Sequence, residues 1–231
     1  MNSDTPHIPD LPAATTPADR LRAALAAPDA LTRLQAALTA GTSPHPSYVE
    51  PLVARCGVED DFPVRDMLTW ALTRMPREPA LSAVIGQLGE PSPLARSQAL
   101  HTLSKLGEPS SWPAILPEHL HDPDDEVART AWRAAVAVAP DEARAALADD
   151  LAAEFGRGDL EVMRSLSRAL VALGGAAETA VARAARSDDP AVRAHGIATE
   201  RLLEDPEASF ALEPADAARL AVALSGGRGA H

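Results

Sequence analysis

HDPDDEVARTAWRAAV, residues 121–136, decides the fold. It opens as an acidic, Pro-containing turn. Val127 and Arg129 then start an Ala-rich run with apolar residues at three- and four-residue intervals, the period of a helix with one buried face. The same order returns as GVEDDFPVRDMLTWAL at 57–72, GEPSPLARSQALHTL at 89–103, GRGDLEVMRSLSRALVAL at 156–173 and RSDDPAVRAHGIATERLL at 186–203. A weaker copy, APDALTRLQAAL, stands at 27–38. From Arg33 through Arg65, Arg96, Arg129, Arg164 and Arg193 the steps are 32, 31, 33, 35 and 29 residues. A unit of that length is too short for a βαβ element with its neighbours and fits two short helices with two turns.

The segments between these helices agree. SYVEPLVARC, ALSAVIGQLG, PAILPEHLH, DEARAALADDLAAEF and ETAVARAA are amphipathic runs, with Leu81, Val84, Ile85 and Leu88 on one face. Ser92-Pro93 and Asp189-Pro190 place a capping side chain directly before a proline at the first helical position. Gly107, Gly174 and Gly175 follow helical runs, where a left-handed stop is wanted. Each helix pair carries an apolar stripe too wide to bury alone, so neighbouring pairs must stack.

This turn-and-helix signature resembles HEAT repeats, in particular the short bacterial HEAT-like repeats also found in phycobilin lyases. The resemblance covers residues 18–205 and implies an all-α fold, a right-handed α-solenoid of about six helical hairpins. It also implies that the second helix of each pair lines a concave face, and that a turn Asp and the helix Arg bond between repeats. On that basis Arg65, Arg96, Arg129, Arg164 and Arg193 are structural, with Asp124 and Asp125 the partners expected for Arg129. The copy at Arg33 lacks the acidic cluster that would supply such a partner. Residues 1–16 read as a disordered tail, 17–205 as the solenoid, 206–224 as a capping helix containing EPADAARLAVAL, and 225–231 as a second disordered tail.

Composition excludes several classes. Hydrophobic residues make 46% of the 231 positions but aromatics only 3%, which favours closely packed helices over a β-sandwich. No apolar stretch is long enough to cross a membrane, and the N-terminus has no charged-then-apolar signal pattern, so a cytoplasmic location is expected. One cysteine, Cys56, forbids an internal disulfide or a multi-cysteine metal site. A net charge of -12 repels nucleic acid and anionic membrane at long range.

No catalytic group is expected. There is no Gly-x-Ser-x-Gly elbow and no phosphate-binding glycine loop, and Cys56 reads as a small buried hydrophobe. His119, His121, Asp122, Asp124 and Asp125 resemble a divalent-ion cluster, yet two imidazoles two residues apart splay on a helix; they read as a solvated turn. Arg157-Gly158-Asp159 falls where every repeat has its turn and is not read as an adhesion motif. No metal and no cofactor are expected.

Charge distribution carries more. The second-helix windows 64–75, 94–106, 127–139, 162–173 and 192–203 hold ten cations against Asp66 and Glu200, a local +8, leaving -20 for the rest of the chain. Without the five repeat arginines the excess falls to +3, so the face is either a functional basic groove or a row of structural arginines. Trp70 and His101 share one repeat position, and Arg74 and Lys105 another; Trp132 and Trp112 read as core. The candidate protein-binding residues are Trp70, Arg74, His101, Lys105, Arg133 and Arg168, with Trp70 as an interface anchor. The leading expectation is a non-catalytic adaptor or scaffold holding an acidic segment of a protein partner. The alternatives are a bilin-lyase-like enzyme or chromophore-binding protein, and a helical-repeat nucleic-acid-binding protein.

Overall fold

Each arginine-bearing helix begins at a short polar side chain that accepts backbone N–H bonds. Asp29, Asp61, Ser92, Asp124, Asp159 and Asp189 are the six caps, each bonded to amides two or three residues ahead. The computed structural model describes residues 16–205, together with 210 and 212. The tails expected at 1–16 and 225–231 and the capping helix expected at 206–224 lie outside it, apart from Thr16, Phe210 and Leu212.

The described residues form twelve α-helices, with short 3-10 turns and no strand. They pair as six hairpins. α1 (Pro17–Leu25) precedes α2 (Ala30–Thr42), α3 (Val49–Cys56) precedes α4 (Phe62–Thr73), and α5 (Arg77–Gly86) precedes α6 (Pro93–Leu106). Then α7 (Pro117–Leu120) precedes α8 (Asp125–Val138), α9 (Arg144–Leu151) precedes α10 (Leu160–Leu173), and α11 (Glu178–Ala184) precedes α12 (Pro190–Glu204). Every even-numbered helix packs on the next even-numbered one. That is the two-layer stack of an α-solenoid.

Leu52, Leu68, Leu72, Leu100, Leu103, Leu151, Leu166 and Leu170 are fully buried between the layers. Each such side chain contributes about 1.5–3 kcal/mol of transfer free energy. Cys56 is buried as expected, and burial pushes its thiol up to about 12. The first layer is broken in the fourth repeat, where PAILPEHLH does not form one helix. Pro109, Pro113 and Pro117 each remove an N–H donor, leaving a 3-10 turn at Pro109–Ala114 and the four-residue α7. Trp132 fills the space: it is fully buried, and its Nε1 donates to the Leu120 carbonyl at 2.8 Å. At the far end, a Cβ on Gly196 would fall 2.4 Å from the Ala185 nitrogen, so only glycine permits the α11–α12 approach.

A different polar contact ties each repeat to the next. Arg33 donates Nε and Nη2 to the two carboxylate oxygens of Glu59, both at 2.8 Å, and Arg55 Nε joins them at 2.7 Å. Arg33 therefore has a carboxylate partner after all, supplied by the following repeat's turn. Gln98 donates to Thr69 (2.8 Å) between the second and third repeats. Arg96 reaches Asp122 (2.9 Å) between the third and fourth. His121 meets Asp150 (3.0 Å) and Glu154 (2.5 Å), and Arg157 meets Asp125 and Glu154, between the fourth and fifth. Ser167, His195 and Thr199 form a wholly buried polar triad between the last two.

These bonds correct the reading of residues 119–125 as merely solvated. His119 and Asp122 are buried, His119 accepting the Leu116 amide and Asp122 pairing with Arg96. The Glu154 carboxylate first, then Asp150, holds His121 above the ordinary imidazole range. Arg157 and Asp159 of the Arg-Gly-Asp tripeptide are spent on this junction and on capping α10.

Candidate functional site

The repeat arginine has one recurring task. In Arg33, Arg65, Arg96 and Arg193 the Nη1 group donates to the carbonyls six and five residues back: Ala27 and Pro28, Glu59 and Asp60, Glu90 and Pro91, Ser187 and Asp188. These four sit four residues past their caps, Asp29, Asp61, Ser92 and Asp189. From there the guanidinium folds back over the turn and satisfies carbonyls the preceding loop leaves open. Only Arg96, and Arg33 through Glu59, also make the inter-repeat carboxylate bond expected of the whole set.

Arg129 and Arg164 depart from this pattern. They stand five residues past Asp124 and Asp159, and Ala128 and Met163, both buried, occupy the position four past the cap. One residue is about 100° around an α-helix, so both arginines swing off the turn. Arg129 Nη1 lies 3.4 Å from Glu126, its Nε is buried without a partner, and neither Asp124 nor Asp125 bonds it. The sequence expectation for Arg129 is thereby corrected: Asp124 caps α8 and Asp125 pairs with Arg157. Arg164 pairs with Glu161 of its own helix.

Counting from caps rather than arginines also regroups the candidate residues. Trp70, His101, Arg133 and Arg168 each lie nine residues past the cap of their helix, on α4, α6, α8 and α10. They are one position repeated through four adjacent helices, and so form a stripe across the second-helix layer. Arg74 and Lys105 lie one turn further, Arg74 as the residue that ends α4 and Lys105 on α6. Arg74, Lys105, Arg133 and Arg168 are exposed, and Trp70 is 38% exposed. The Arg133 Nη1 group lies 3.5 Å from His101 Nδ1. Burial first, then the charges of Arg133 and Lys105, lowers the His101 pKa against the pull of Asp66. A neutral His101 ring can therefore accept from Arg133. The Trp70 indole leans the other way, over Gly41 of α2, where a Cβ would meet its ring at 2.2 Å. Its place is the apolar end of the stripe.

At the basic end, Arg129, Arg133 and Arg168 line an open depression of about 510 Å³ between α8 and α10, together with Glu161, Ser165 and Val136. Arg129 is the residue that arginine-based alignment missed. The signal was available at Asp159, five residues before Arg164 instead of four. Two groups with nucleophilic potential lie elsewhere and are closed off. Cys56 is buried, and Ser167 lies 3.0 Å from His195 Nε2 with both residues fully buried. No group of His, Cys, Asp and Glu among the described residues is arranged to hold a metal ion, and none of the described helices is long and apolar enough to cross a membrane.

Residues 59–137 match the family described as HEAT repeats. Among solved structures, the crystal structure of an engineered protein is 20% identical with a TM-score of 0.46, over 81% of this chain and 96% of that one. The complex of CpcE and CpcF of phycocyanin lyase from a Nostoc species is 19% identical with a TM-score of 0.40, over 96% of this chain and 99% of that one. No curated protein matches the sequence.

Proposed function

From HEAT repeats at residues 59–137, continued by the same hairpin through the six-unit stack, we infer that this protein is a non-catalytic adaptor or scaffold. It holds an acidic protein segment along the stripe of Trp70, His101, Arg133 and Arg168. The observation that carries this reading is the recurrence of one position through four adjacent helices, exposed at Trp70, Arg133 and Arg168 and half-buried at His101, anchored by an indole and ending in two guanidiniums. Arg133 and Arg168 make no ion pair with a carboxylate among the described residues. Both therefore keep their charge available to a ligand. Neighbouring helices lie about 8–10 Å apart, so the stripe is roughly 25–30 Å long and spans about eight extended residues. Trp70 supplies the apolar anchor and the arginines the charge-assisted bonds. Burial keeps Cys56 and the Ser167–His195 pair, the two groups with nucleophilic potential, away from any ligand on the stripe.

The test is capture from the native source by the immobilised chain and by an Arg133→Glu, Arg168→Glu variant of unchanged helicity. The reading requires a captured protein whose acidic segment, made as a peptide, binds the parent chain and not the variant. Equal capture by both chains would refute it.

A further inference from the structure

The depression between α8 and α10 has more positive charge than the fold uses. Arg129, Arg133 and Arg168 surround it, and its one acid, Glu161, is already matched by Arg164. Arg129 and Arg133 are four residues apart on one helix, where like charges repel. The Arg129 Nε is buried with no acceptor, and its Nη1 bond to Glu126 is long at 3.4 Å. The arrangement exists because repeats four and five carry one extra residue between cap and arginine, which turns Arg129 outward.

We propose that this depression receives a phosphoryl group carried on a serine or threonine of the bound protein segment. The proposal rests on the protein-binding reading of the stripe and names the chemistry at its basic end. A phosphoryl group brings a charge of about -1.5 to -2 and three strong acceptor oxygens. Three forked guanidiniums, with the Ser165 hydroxyl on the same rim, present more donors than the two oxygens of a carboxylate can take. Val136 and the small side chains of Ala169 and Ala172 leave room for the residue that bears the group. The chain's net charge of -12 works against a long polyanion such as nucleic acid, and works far less against one local dianion.

The experiment measures fluorescence anisotropy of short labelled peptides on the whole chain, all in one Ala/Asp background, with phosphoserine, Glu or Ser at the centre. Inorganic phosphate and a short DNA duplex are run beside them. The phosphoserine peptide should bind about tenfold or more tighter than the Glu peptide, the factor one strong charge-assisted bond carries. Arg129→Gln should bring the phosphoserine-to-Glu affinity ratio down to about one; a ratio left intact in that variant overturns the proposal. Equal affinity for the phosphoserine and Glu peptides overturns this proposal and leaves the acidic-segment reading standing. Failure of both to bind overturns both. Tighter binding of the DNA, or of free phosphate, overturns it by assigning the site to a different occupant.

Discussion

Replacing Glu59 by Gln tests the most buried ion pair in the stack. The Glu59 side chain is 0% exposed and accepts from Arg33 Nε, Arg33 Nη2, Arg55 Nε and the Asp61 amide at 2.7–3.0 Å. Gln keeps the shape but removes the charge and turns a donor toward guanidiniums that have little access to water. Breaking a buried pair from one side costs about 3–5 kcal/mol. A second route gives a similar figure. Burial alone would raise the Glu59 carboxyl, but Arg33, Arg55 and the Asp61 amide outweigh it and hold it at about 2, against an ordinary 4.5. A depressed carboxylate contributes stability above pH 4.5 that is lost as pH falls toward 2, about 3 kcal/mol in all. Urea unfolding of Glu59→Gln, followed by far-UV circular dichroism at neutral pH, should show a loss of that size. Because repeat arrays can open unit by unit, amide exchange in α2 and α4 should rise more than in α10 and α12. A loss below about 1 kcal/mol, the range of exposed pairs, would refute the reasoning.

His195 gives a pH dependence at the opposite end. Burial, against a smaller upward pull from the Met163 carbonyl, depresses its pKa to about 4, so the folded ring stays neutral while the unfolded ring takes a proton below about 6.5. Stability should therefore fall from pH 6.5 to 4 by up to about 1.4 kcal/mol per unit, and His195→Gln should flatten that slope; an unchanged slope would exclude His195 as its source. Gly196→Ala should lower stability by about 1–3 kcal/mol through overpacking against Ala185, whereas Gly86→Ala, with nothing near the new methyl, should be neutral or stabilising by up to about 1 kcal/mol. Arg96→Ala should cost about 1.5–3 kcal/mol and Arg129→Ala less than about 1 kcal/mol; melting curves in the reverse order would overturn the distinction drawn from cap spacing.

The hairpins, their order and the caps at Ser92 and Asp189 were legible because they rest on local chemistry: helical period, turn prolines, short polar side chains. Trp132 was legible as core from its Ala-rich surroundings. What was not legible depends on counting or on distance. In the fourth repeat Asp124 and Asp125 both look like caps, and only the folded turn selects Asp124, which decides where Arg129 points. Arg33 had no visible partner because Glu59 lies 26 residues away, in the next turn. The Ser167–His195–Thr199 triad joins residues 28 and 32 apart, beyond any local pattern. The proline-broken α7 was written in Pro113 and Pro117, but the amphipathic spacing of the same stretch masked it.

The five junctions of the stack share no common fastener: a buried Arg–Glu–Arg clamp, an amide-to-hydroxyl contact, an Arg–Asp pair, a His–Arg–carboxylate mesh and a buried imidazole triad. Like keys cut for different locks, the surfaces of these hairpins are not interchangeable. Removing α5 and α6 whole would take Gln98 from the Thr69 hydroxyl of α4 and leave Asp122 facing Arg65 in the place of Arg96. An array of identical units can slip by one period and lose only an end. Here a slip by one period also exchanges one kind of junction contact for another.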